Sequence, residues 1–149
     1  MTDEPTSFTH SFVASELETR EALCTVMGRL RAMGLAEEQA GAIEIALAEV
    51  VNNVVEHAYA DRPPGDILIR GHMDEMALQV RVTDKGRALP NGRLPDGHPA
   101  DISGPRSGLP EGGFGWYMIR TLARDIRYVR ENGGNHLQLT FDLIPPAAP

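Results

Sequence analysis

Apolar positions along the chain change their period in a definite order. FTHSFV at 8–13 alternates loosely and predicts a first edge strand. Ser15, with Glu18 three residues on, has the form of a capping box. Leu17, Leu23, Val26, Leu30 and Met33 then recur near helical spacing until Gly34, which predicts a helix over roughly 16–33. A second helical pattern runs from Ala36 to about Ala60, and Pro63, Pro64 and Gly65 close it. Two period-two runs follow, DILIRGHM at 66–73 and MALQVRVTD at 76–84, separated only by Asp74 and Glu75, which predicts a β-hairpin. Trp116 to Asp125 predicts a third helix with Trp116, Ile119 and Leu122 on one face. IRYVRE at 126–131 and HLQLTFDL at 136–143, joined through a Gly133-Gly134 turn, predict a second hairpin, and IPPAAP at 144–149 a disordered tail. Three helices and about five mainly antiparallel strands predict an α/β chain of the α+β kind, a two-layer sandwich forming one domain over residues 1–149.

No period survives between Gly86 and Gly113. Prolines at 90, 95, 99, 105 and 110 and closely spaced glycines break every pattern there. A patternless stretch of this length inside a compact domain is either disordered or a functional lid. Its place between two candidate ligand-binding motifs favours a lid, over about residues 87–112.

Composition narrows the function classes. The formal net charge of −7 argues against direct binding of nucleic acid or of an anionic membrane surface. There is no basic start followed by an apolar stretch, and no long uninterrupted apolar run, so a soluble cytoplasmic protein is expected. The single cysteine, Cys24, falls on the first amphipathic pattern and reads as a buried structural thiol more readily than a reactive one. Lys85 is the only lysine, which excludes a GxxxxGK[ST] phosphate loop.

Three segments carry candidate chemistry. In EVVNNVVEHAY at 49–59, the valines join Ile43, Leu47 and Ala58 in an apolar arc of roughly 140°. Glu49, Asn53 and His57 step four residues at a time along the margin of that arc, drifting about 40° per step. A carboxylate, a carboxamide and an imidazole at the edge of a core can be tuned by partial exclusion of water, although a solvated face with arbitrary polar choices would read the same way. Asp84-Lys85-Gly86-Arg87-Ala88 ends a strand, where a carboxylate can accept from an exocyclic amine and Gly86 would let a flat ring approach the backbone; a plain turn has the same signature. Glu111-Gly112-Gly113-Phe114-Gly115-Trp116 opens the third helix, so its free N–H groups and the helix dipole favour a polyphosphate, a hinge being the alternative.

In this order, ExxxNxxxHAY, DxGxA and EGGFGWYMI resemble the motifs of the Bergerat-fold ATP-binding domains of histidine kinases, gyrase, the Hsp90 chaperone and the mismatch-repair ATPase. More narrowly, the chain resembles the single-domain anti-sigma factor serine/threonine kinases over about residues 8–143. The resemblance implies ATP and Mg²⁺ as cofactors, with Glu49 as general base and Asn53 holding the metal. It implies that Asp84 accepts from the adenine amine with Gly86 against the ring, that Ala88 belongs to the ATP site at the lid hinge, and that Gly112, Gly113, Phe114 and Gly115 cradle the phosphates, with His57 in a supporting role. The family's DxGxG is DxGxA here, and Pro110 stands where members often carry a basic residue, so a γ-phosphate contact falls to Arg106 or to none. The implied partners are a small anti-sigma-factor antagonist, phosphorylated on a hydroxyl, and a sigma factor exchanged by partner switching, with homodimerisation possible in such a family. The competing readings are a non-catalytic nucleotide-dependent binding module and a histidine-kinase-type catalytic domain.

Overall fold

The computed structural model describes residues 6–95 and 113–144. Its elements are β1 (Ser7–Val13), α1 (Glu16–Ala32), α2 (Glu37–Asn53), β2 (Asp66–Met73), β3 (Ala77–Asp84), α3 (Gly113–Leu122), β4 (Asp125–Glu131) and β5 (Gly134–Asp142). The strands form one antiparallel sheet in the order β1-β2-β3-β5-β4. The result is the expected α+β sandwich, three helices on an open five-stranded sheet.

Alternation decides which sheet face is covered. Ile67, Ile69, Leu78, Val80 and Leu139 are fully buried, while Arg70, His72, Gln79 and Arg81 between them are exposed on the other face. From the helices, Val26, Met27, Leu30, Ile43, Leu47, Val50, Val51 and Ile119 complete one continuous core. Ser15 caps α1, its hydroxyl accepting from the Glu18 N–H at 3.2 Å, and Gly34 leaves the helix at φ 105°, a conformation that favours glycine.

Several local expectations are corrected. Leu17 is 66% exposed, and the buried stripe of α1 is Thr19, Ala22, Val26, Met27 and Leu30. Cys24 is exposed on α1, because Ala22, Val26 and Met27 occupy the buried stripe. The second hairpin turns at Asn132-Gly133, with φ of 51° and 75°, and Gly134 already pairs with Glu131 in the ladder. Asn-Gly is the pair that tolerates positive φ at both central positions of a tight hairpin turn. α3 starts three residues ahead of the expected Trp116, so Gly113 and Gly115 lie within its first turn, and it ends at Leu122.

The helical run expected to Ala60 is also not uniform. At Val54 the α-helix widens into a single π-helical turn, Val54–Ala58. The Asn53 side chain donates back to the Glu49 carbonyl at 2.8 Å just where the ladder changes, a side-chain bond that competes with the regular backbone pattern. The turn ends with the Ala58 carbonyl accepting from the Arg87 N–H at 2.7 Å, which joins the end of this helix to the segment after β3.

Candidate active site

Between the end of α2, the π-helical turn, the C-terminal end of β3 and α3 lies a cavity of about 340 Å³. Its apolar walls come from Val50, Val54, Val82, Leu89, Trp116 and Leu137, and its polar groups from Asn53, His57, Asp84, Arg87, Tyr128 and Asn135. A mostly apolar cleft with a few converging polar groups is the usual form of a small-molecule site.

Asp84 is the buried acid of this cavity, 4% exposed. Its Oδ1 accepts from the Gly86 N–H and from Asn135 Nδ2, both at 2.8 Å. Burial raises the Asp84 pKa above the ordinary carboxylate range, against the opposing pull of the Asn135 and Gly86 hydrogen bonds and of the Arg130 and His136 charges. Both of these bonds use Oδ1, so Oδ2 is the acceptor left for a ligand in the cavity.

Gly86 stands hard against the end of the helix. A Cβ there would lie 2.3 Å from the Ala58 carbonyl oxygen and 2.6 Å from its carbon, so the glycine permits the close approach of this turn to the π-helical turn. Tyr59, the last residue of HAY, braces the same region. Its hydroxyl donates to the Asp66 carbonyl at 2.9 Å and accepts from the Lys85 N–H at 3.0 Å, and burial raises its pKa.

The four-step stripe divides. Asn53 lines the cavity, and because its Nδ2 is bound to the Glu49 carbonyl, its Oδ1 is the atom available to a ligand. Glu49, half-buried, lies one turn back against α3; a Cβ on Gly115 would stand 2.6 Å from Glu49 Oε2 and 4.0 Å from Asn53 Nδ2. A methyl at 115 would therefore have to push the Glu49 carboxylate aside, whereas 4.0 Å to Asn53 is ordinary contact. The first turn of a helix has N–H groups with no partner inside the helix and the positive end of its dipole, and that turn of α3 lies beside Glu49 and Asn53, a suitable place for an anion. His57 lines the cavity with its side chain 64% exposed and Glu56 Oε2 at 3.8 Å. Ala88 lines the cavity as well. Asn52, the neighbouring asparagine, is exposed and contributes nothing to the wall.

Arg106 and Gly112 lie outside the described residues, as does the expected lid from 96 onward. Gly113 and Phe114 belong to α3 by their backbone. Sequence reasoning missed Asn135, Tyr128 and Arg87. Asn135 carried one signal, since asparagine is uncommon inside a strand, but that it stands opposite Asp84 follows from the β3–β5 register.

Open α+β sandwich, buried acid at a strand end and helix N-terminus at the far side define an ATPase-type domain of the Bergerat fold. Comparison with known proteins agrees: a family model for the histidine kinase-like ATPase domain matches residues 13–141, and the chain belongs to that family. Within it the chain stands with the anti-sigma factor kinases. The serine-protein kinases RsbW of Bacillus cereus (strain AH820) and of Bacillus thuringiensis (strain Al Hakam) are each 36% identical over 110 residues, covering 73% of this chain and 68% of theirs. Two solved structures share the fold. The RsbU and RsbW domains of a Mycobacterium tuberculosis protein superpose with a TM-score of 0.65 at 21% identity over 95% of this chain, which spans 33% of that longer one. The mycobacterial sensor histidine kinase MprB gives a TM-score of 0.50 at 14% identity, over 92% of this chain and all of that one. Among the described residues no helix is long and apolar enough to cross a membrane.

Proposed function

We propose that this chain is an ATP-dependent protein serine/threonine kinase that transfers the γ-phosphoryl group to a hydroxyl of a small anti-sigma-factor antagonist and exchanges that partner against a sigma factor. The observation that carries the reading is that Asp84 and Asn53 line one cavity, with Glu49 and Gly115 against each other beside Asn53. Its relatives named serine-protein kinase support the acceptor class.

In this reading Asp84 Oδ2 accepts from the adenine amine at the closed end of the cavity, and the apolar walls exclude water from the base. The phosphates lie toward Asn53 and the first turn of α3, whose N–H groups take up their charge. Glu49, beside that turn, receives the proton of the attacking hydroxyl. The donor set fits magnesium: a neutral amide oxygen from Asn53, with phosphate oxygens and water as the remaining hard ligands. Bound there, the ion would neutralise phosphate charge during transfer.

The test is phosphorylation of an antagonist protein found to co-purify with the native chain. Glu49→Gln keeps Mg-ATP affinity within a few-fold and lowers phosphoryl transfer about 10²- to 10⁴-fold. Transfer at the wild-type rate would remove Glu49 from the chemistry, and ATP binding without transfer by the wild-type chain would leave a nucleotide-dependent binding module.

A further inference from the structure

Asn135 uses all of its amide. Its Nδ2 donates to Asp84 Oδ1 at 2.8 Å and to the Arg87 carbonyl at 2.7 Å; its Oδ1 accepts from Arg130 Nη1 at 3.1 Å and from the Tyr128 hydroxyl. Chemistry dictates this orientation, because a guanidinium only donates and a backbone carbonyl only accepts. Tyr128 and Arg130 both stand on the edge strand β4. They also hold the turn after Asp84: the Tyr128 hydroxyl accepts from the Leu89 N–H at 3.1 Å, and Arg130 Nη1 donates to the Gly86 carbonyl at 2.6 Å. Arg130 is exposed and Tyr128 half-buried at the sheet edge, and Arg130 adds nothing to the hydrophobic core.

We propose that Arg130 and Tyr128 are positioning residues for nucleobase selectivity: by donating together to Asn135 Oδ1 they hold its amide, and through it Asp84, in the arrangement that takes adenine and refuses guanine. The inference rests on the ATP-binding reading of the cavity. With Oδ1 of Asp84 saturated, Oδ2 presents lone pairs to the ligand. The 6-amine of adenine donates to them, whereas the 6-oxo group of guanine faces them acceptor to acceptor. Were Asn135 to turn over, its oxygen would oppose Asp84 Oδ1. The Arg87 carbonyl would oppose it as well, so the amide keeps its orientation even without β4; what the loss of its Oδ1 partners frees is its position. The two β4 donors fix that position: without them Asp84 Oδ2 is no longer aimed at the 6-position, so adenine loses its acceptor and the clash with a 6-oxo group eases.

Calorimetric titration of the full chain with Mg-ATP and with Mg-GTP tests this on wild type, Arg130→Met, Tyr128→Phe, the double variant and Arg130→Lys, with thermal melts as a folding control. The double variant should lose about 10-fold in ATP affinity while GTP affinity holds or rises, so the ATP/GTP ratio narrows by at least that factor. Arg130→Lys, which keeps a donor, should restore most of the ratio. A parallel loss for both nucleotides, or an unchanged ratio with wild type still binding ATP, overturns the positioning role and leaves the nucleotide reading standing. Failure of wild type to bind ATP overturns the nucleotide reading itself.

Discussion

Single atoms decide the two glycines of the site, and they decide them differently. At Gly86 an added methyl meets backbone, the Ala58 carbonyl at 2.3 Å, which cannot move without displacing the end of the helix. Gly86→Ala should therefore destabilise the fold by about 1–3 kcal/mol, read from chemical denaturation. At Gly115 the methyl meets the far end of a flexible side chain, Glu49 Oε2 at 2.6 Å. Gly115→Ala should melt close to wild type yet transfer phosphate at least about 10-fold more slowly, because the carboxylate is pushed aside. Asp84 adds a pH signature. Its folded pKa is raised, so between the ordinary carboxylate range and that higher value the folded chain holds more protons than the unfolded one, and the group's contribution to stability falls as pH rises through that window. Thermal melts should show Asp84→Asn gaining on wild type as the pH rises above the ordinary carboxylate range.

Elements place these atoms. The α2 helix puts Asn53 on the cavity and Glu49 against α3, and the π-helical turn after it sets the Ala58 carbonyl where Arg87 and Gly86 meet it. Trp116 and Ile119 of α3, 5% and 0% exposed, anchor the glycine-bearing first turn to the core. Trp116→Ala should cost about 3–5 kcal/mol in denaturation and weaken nucleotide binding with it, since Trp116 also lines the cavity. Most of these elements were legible in the chain because their periods are clean: the alternation in DILIRGHM and ALQVRVTD and the valine face of α2 each point to one core. The π-helical turn was not legible, since hydrophobic spacing continues unbroken through Val54 and Val55 and the side-chain bond from Asn53 that accompanies the change leaves no mark on it. Nor was the start of α3 at Gly113, because glycines in a first helical turn look the same as glycines in the loop before it.

At the scale of the whole molecule, the cavity exists only because distant segments meet. Asp84 and Asn135, 51 residues apart, are opposite in the β3–β5 ladder, and Asn53 reaches the same space from a helix that packs across that ladder. Ordered motifs were enough to anticipate Asp84 and Asn53 as neighbours, but strand order was needed to bring in Asn135, Tyr128 and Arg130. The central claim is that this cavity binds ATP with Asp84 as the adenine acceptor. Asp84→Asn tests it cleanly, because an amide keeps the oxygen that accepts from Gly86 and Asn135 and replaces the free acceptor with a donor. Calorimetric titration with Mg-ATP should show one site in wild type and affinity lower by about 10- to 100-fold in a still-folded Asp84→Asn chain. Equal ATP affinity in the two proteins, or none in wild type, would contradict the account.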